Sequence, residues 1–209
     1  MLVVVSAGCT SLTSMSAGGI VQKMQEKSNA INDYQATIVV TTIVNGKSKV
    51  TESDIKIKKP DKFWYKNRET GVVTFVSNGT TMWTYLPEKN EVLITKLPKF
   101  EKSRIGFEAI IKNMMERFNI KLLGTGKIAG RDTYILELVP KNKTEKSLIT
   151  EKLWVDQKYW VPVKVETEMK YLNETIQTTV LYENLEFNKN VPDSYFQYII
   201  PKGAKVVKN

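Results

Sequence analysis

Few residues in this 209-residue chain can carry chemistry. It has no histidine and a single cysteine, Cys9. Without histidine there is no Ser-His-Asp or Cys-His nucleophile, no imidazole base and no histidine metal site. One cysteine excludes an intramolecular disulfide and a cysteine-based zinc site. Carboxylates, lysines and tyrosines remain, and none falls into a recognisable catalytic motif. The inventory points away from an enzyme and calls for no cofactor and no metal.

The chemistry that the first residues do suggest is acylation of Cys9. An apolar run, Leu2 to Val5, leads through Ser6, Ala7 and Gly8 to that cysteine. The arrangement resembles a lipobox, in which the cysteine becomes the acylated first residue of a mature lipoprotein. It departs from the pattern at Ser6, where an aliphatic residue is usual, and in lacking a charged segment upstream. Residues 10–19 are rich in Ser, Thr, Gly and Ala, the composition of a flexible tether. No later segment approaches the ~20 consecutive apolar residues of a spanning helix. The expected layout is a leader remnant and tether over 1–19 and one domain over 20–209. The domain would be held extracytoplasmically at the membrane surface through Cys9.

Apolar residues make up 42% of the chain and charged residues 25%, as in ordinary globular domains. The net charge of +9 is carried almost wholly by lysine, with arginine only at positions 68, 104, 117 and 131. The lysines are interleaved with Glu and Asp, which reads as a solvated surface. Attraction to an anionic membrane is the functional alternative, and nucleic acid is not expected. Asn78, Asn142 and Asn173 each begin an Asn-x-Thr sequon, for which chance is the default explanation.

The elements that must position any site are mostly strands. A modest amphipathic helix is predicted from Ile20 to about Ile31. Two long strands flank Asn45-Gly46, a two-residue hairpin signal. Their pairing places Tyr34, Ala36, Ile38, Val40, Ile55 and Ile57 on one face. A second Asn-Gly pair, Asn78-Gly79, predicts a hairpin with Thr74 opposite Trp83. Alternation then gives Val72, Val76, Trp83 and Tyr85 one face and Val73, Phe75, Met82 and Leu86 the other. Apolar residues on both faces of an antiparallel hairpin are unusual, because one face is commonly wet. Over 103–118 the period changes to three and four, predicting one helix capped by Ser103 with Phe107, Ile110, Ile111, Met114, Met115 and Phe118 as its apolar stripe. Strands then resume almost to the end. Dense strands with two helical segments and no strand–helix alternation predict an α+β fold, one antiparallel sheet with helices on one side.

Four segments in order, "IKKPDKFWY", "SNGTTMWTYLP", "LWVDQKYWVPVKVE" and "FNKNVPDSYFQYIIPKGAKV", resemble the outer-membrane lipoprotein-sorting carrier superfamily (LolA/LolB/RseB-like) over roughly residues 20–209. The most telling residues are Ser77, Gly79, Trp83, Tyr85 and Pro87, supported by Pro201, Gly203 and Val206. The resemblance implies a strongly curved, unclosed half-barrel whose concave face is covered by helices acting as a lid over an apolar cavity. It implies a lipid or acylated protein as ligand. Pocket residues under that reading are Val40, Trp83, Tyr85, Phe107, Ile110, Ile111, Met114, Met115 and Phe118. The position matching the carriers' lid-linked arginine is Lys59, which lacks arginine's planar fork of donors. The expected role is a membrane-anchored carrier or acceptor. The alternatives are a sensory module of the same fold with a protein partner in the envelope, or a structural surface lipoprotein without ligand.

Overall fold

The computed structural model describes residues 15–97, 106–112, 114–142, 147–171 and 174–208. Helix α1 (Ala17–Ser28) opens it, capped by Ser16, whose Oγ accepts from the Gly19 amide at 3.1 Å. It begins three residues before the predicted start, inside the stretch expected to be tether. Its apolar residues Ile20, Val21 and Met24 recur at helical spacing and are fully buried.

Six strands follow: β1 (Asp33–Val44), β2 (Lys47–Lys58), β3 (Lys62–Asn67), β4 (Val73–Asn78), β5 (Thr81–Leu86) and β6 (Glu91–Lys96). After α2 (Phe107–Ile111) and α3 (Met114–Arg117) come β7 (Phe118–Ile128), β8 (Arg131–Pro140), β9 (Ser147–Asp156), β10 (Pro162–Tyr171), β11 (Glu174–Phe187) and β12 (Lys205–Lys208). All pair into one sheet in the order β12-β6-β5-β4-β3-β2-β1-β11-β10-β9-β8-β7, antiparallel except for β12 beside β6. The two ends do not meet. Register shifts near Gln35, Tyr65, Leu122 and Pro162 add the local twist that curls so wide a sheet into an open half-barrel. The helices lie on its concave side, as the α+β reading anticipated.

The first hairpin forms as predicted. Asn45 and Gly46 both take positive φ, and Tyr34 faces Ile57 while Ala36 faces Ile55. The second differs by a step. Asn78 ends β4 and the connecting residues are Gly79 and Thr80, so Trp83 lies across from Val76 and not Thr74. Local chemistry explains the shift. The Asn78 carboxamide oxygen accepts from the amides of Thr80 and Thr81, and Gly79, at φ +91°, sits so close to the Pro60 carbonyl that a Cβ would lie 2.9 Å from its oxygen. Register moved by two residues, so Val76, Trp83 and Tyr85 keep one face and Phe75, Met82 and Leu86 the other, whereas the bulge before Phe75 pairs Val73 with Lys66 and takes it out of the second set.

The predicted single helix over 103–118 does not form. Its first residues, Ser103 included, lie outside the described residues. The rest breaks at Lys112, whose ψ of 128° is extended, and Phe118 already belongs to β7 opposite Pro140. Lys141 holds the passage from α3 into β7, its amide donating to the Arg117 carbonyl at 2.9 Å and its Nζ to the Met115 carbonyl at 2.8 Å. Strand pairing overrode helical periodicity.

Two cores result. The larger joins α1, α2 and α3 to the concave face through Ile20, Met24, Phe107, Ile111, Leu136 and Leu153. The smaller lies on the outer face, where Val76 and Val92 are buried together with Val191 and Phe196 of the stretch after β11. Trp64 meets Tyr195 edge-on at 5.4 Å and Trp83 stacks on Tyr198 at 6.2 Å. The outer face of β3–β6 is apolar because that stretch covers it, and the concave face of β3 is apolar because it meets the larger core.

Candidate functional site

Alternation and register identify which side chains of β2–β6 face the concave side. Ile55 and Ile57 belong to the larger core, and through successive pairings they share their face with Phe63 and Tyr65, then Phe75, then Met82 and Leu93. Phe63 and Tyr65 pack against the core; Phe75, Met82, Leu86 and Leu93 do not, and are half-buried. The core that the helices complete runs from β7 through β11 and β1 to β2, with β3 packed at its edge. An apolar wall continues beyond them over β4–β6.

The junction between helices and sheet is closed by charge and aromatic stacking. Lys59 donates from Nζ to the carbonyls of Ser28, at 2.8 Å, and Asn29, at 3.3 Å, and forms an ion pair with Glu108. One ammonium thus joins the C-terminal end of α1, where carbonyls lack helical partners, to the first turn of α2. Beneath it Phe107 stacks on Tyr34 with centroids 4.4 Å apart and touches Tyr182 at 5.3 Å. Gly106 permits the approach: at φ +87° it lies so near that a Cβ would come within 3.0 Å of the Tyr34 hydroxyl. A cavity of about 250 Å³ opens here, lined by Ile31, Tyr34, Ile57, Pro60 and Phe107 with Lys59 and Glu108 among its polar groups.

Two buried phenols lie beside this ion pair. Burial pushes the Tyr182 phenol up to about 12 and raises Tyr34 well above the ordinary tyrosine value, with Tyr182 adding to the shift. Glu151 shares the concave side with Leu153 and is raised by burial, against the pull of Arg117. Neutral phenols and an apolar wall suit sequestration of an apolar group from water rather than proton transfer.

The expected pocket residues are divided. Phe107, Ile111 and Met114 are buried between helices and sheet, with Ile110 and Phe118 half-buried against them. Val40 is half-buried on the concave face of β1, opposite Val180. Trp83 and Tyr85 require correction: they lie on the outer face, Trp83 against Tyr198 and Tyr85 donating its hydroxyl to Asn90 at 3.1 Å. Met115, at the edge of α3, is 47% exposed. Cys9 lies outside the described residues. Sequence reasoning missed Tyr34 and Gly106 as cavity residues, and it missed Glu108 as the partner of Lys59. Phe75, Met82 and Leu86 were legible as one face, but alternation does not say which face turns inward.

A family model described as an uncharacterized protein matches residues 65–170. The chain belongs to that family. A relative from Methanocaldococcus jannaschii, itself described as uncharacterized, is 33% identical over 206 residues, an alignment covering 97% of this chain and 56% of that protein. The chain therefore spans little more than half the length of that relative. An outer-membrane lipoprotein carrier protein of Pseudomonas fluorescens is 24% identical over 161 residues, covering 76% of this chain and 72% of the carrier. Among solved structures, a LolA superfamily protein from Nitrosomonas europaea is 15% identical with a TM-score of 0.41, covering 88% of this chain and 99% of that one. The carrier to which the chain is similar is of the type that its motif order resembled.

Proposed function

We propose that this protein binds lipid acyl chains, free or as part of a lipoprotein, on the concave face of its half-barrel. The observation that carries the reading is the apolar wall of Phe75, Met82, Leu86 and Leu93, half-buried and outside the core that the helices complete. The driving force is desolvation. At ~0.8 kcal/mol per buried methylene, a chain of about fifteen carbons exceeds about 10 kcal/mol gross. Release then requires an acceptor or a change at the helices. Lys59 is placed for the latter, because breaking its contacts to Glu108 and to the end of α1 removes the ionic tie it makes between α1 and α2. Similarity to a lipoprotein carrier supports the reading. The setting is extracytoplasmic, with Cys9 as the acylated anchor.

Native mass spectrometry of the chain expressed without detergent tests this. An acyl lipid should co-purify near stoichiometrically, and Met82→Asp should lower its uptake about tenfold or more while near-ultraviolet circular dichroism stays native. A folded protein that carries no lipid and takes up neither phospholipid nor acylated peptide overturns the reading.

A further inference from the structure

The most exposed large apolar side chain among the described residues lies far from the cavity. Ile199 is 87% exposed, its neighbour Ile200 is 41% exposed and Val206 of β12 is 40% exposed. These residues crown the stretch that crosses the outer face. Isolated exposed aliphatics are ordinary, but two adjacent isoleucines on a rigidly seated loop are not.

The seating is well defined. Before the isoleucines, Phe196 is buried and Tyr198 stacks on Trp83. After them, a turn closes with the Ala204 amide donating to the Pro201 carbonyl at 3.1 Å. Asn90 then fastens the turn from both sides, its Nδ2 donating to the Gly203 carbonyl at 3.1 Å and its own carbonyl accepting from the Lys205 amide at 2.9 Å. The isoleucines are held out by structure on both flanks.

Charge around them has one prevailing sign. Lys89, Lys202 and Lys208 are exposed and have no ion-pair partner among the described residues, while Lys205 keeps 73% of its side chain exposed even as it pairs with Glu91. Exposed Glu88 is the acidic neighbour. Aliphatic residues projecting from within a set of unpaired ammonium groups match a bilayer interface, where acyl boundary and anionic headgroups occur together.

We propose that the loop centred on Ile199 and Ile200 is a docking surface for a bilayer containing anionic lipid, the isoleucines entering the interface and Lys202 and Lys208 meeting headgroup phosphates. It lies on the face opposite the cavity wall and does not rest on the acyl-binding reading. The two contacts would operate together, one fixing orientation at the membrane and the other holding cargo.

Vesicle co-sedimentation tests it with the full chain carrying Cys9→Ser, so that no acyl anchor contributes. Vesicles of phosphatidylcholine with about a third phosphatidylglycerol should bind, and pure phosphatidylcholine should bind at least about tenfold less. Ile199→Ser with Ile200→Ser should weaken partition at least about tenfold, and Lys202→Gln with Lys208→Gln several-fold with a shallower dependence on salt. Uptake of a fluorescent fatty acid by the isoleucine variant should be unchanged, which separates this surface from the cavity. Binding that survives both pairs of substitutions, or no binding to anionic vesicles, overturns the proposal. So does a dimer in the absence of vesicles that the isoleucine substitutions dissociate, since the patch would then join two copies of the chain.

Discussion

Asp33 shows how much one side chain can organise. It is 5% exposed, and its carboxylate accepts from the amides of Lys189, at 2.9 Å, and Asn190, at 3.1 Å. Those donors begin the stretch that crosses the outer face, so Asp33 joins β1 to that covering. Hydrogen bonds to a charged group contribute about 1.5–3 kcal/mol, and Asp33→Ala should cost about that in urea unfolding. Glu151 behaves oppositely. Its folded-state pKa is raised by burial, so the native state holds this proton more tightly than the unfolded chain. The carboxyl therefore costs stability above its folded pKa, and that cost disappears as pH falls through the folded value toward 4.5. Glu151→Gln should raise the melting temperature at about pH 7, with the difference closing below about pH 4.5. A constant difference across that range would mean that packing, not charge, separates the two proteins.

At the scale of elements, the stretch between β11 and β12 has a structural role that periodicity did not disclose. Its short helical turn Asp193–Phe196 packs on β3 and β4. Asp193 pairs with both Lys58 and Lys62 at 2.8 Å, and those contacts hold its carboxyl down at about 2. Phe196, 1% exposed, fills the space above Val76 and Val92. Phe196→Ala should cost about 3–5 kcal/mol, as truncating a fully buried aromatic does. Hydrogen exchange should quicken first in β4–β6, the strands that lose their outer cover, and later in β8–β10. Uniform loss of protection would show that the outer core does not act as a separate unit.

For the whole molecule, the division of labour follows from a sheet too wide to be covered on one side only. One half of its concave face is completed by three helices, and the rest presents an apolar wall. The outer face is covered over β3–β6 by the stretch after β11 and is polar elsewhere, as around Glu137, Lys152 and Glu168. No helix among the described residues is long and apolar enough to cross a membrane. Under the proposed function Cys9 is the anchor, and Cys9→Ser should move the protein from the membrane fraction toward the soluble one. If the variant stays bound in low salt and leaves in high salt, the surface around Ile199 contributes a second attachment.

Much of this was legible in the residues themselves. Alternation over Tyr34–Val40 and Ile55–Ile57, with Asn45-Gly46 between them, determined the first hairpin and which of its residues share a face, because a two-residue turn leaves one register. The absence of histidine removed most catalytic chemistries at once. The order of short motifs indicated a LolA-like half-barrel. Three things were decided only by tertiary structure. Which face of β4–β5 turns inward depends on the neighbours β2 and β3, so Trp83 and Tyr85 could be placed on the wrong side while their grouping was right. The helix over 103–118 yielded to the pairing of Phe118 with Pro140, a contact between residues too distant for local pattern to register. Lys59 was found from its motif, but its partners Ser28, Asn29 and Glu108 come from two helices that only the folded sheet brings together. Local periodicity determines the faces of each element; what each face meets is a property of the assembled chain.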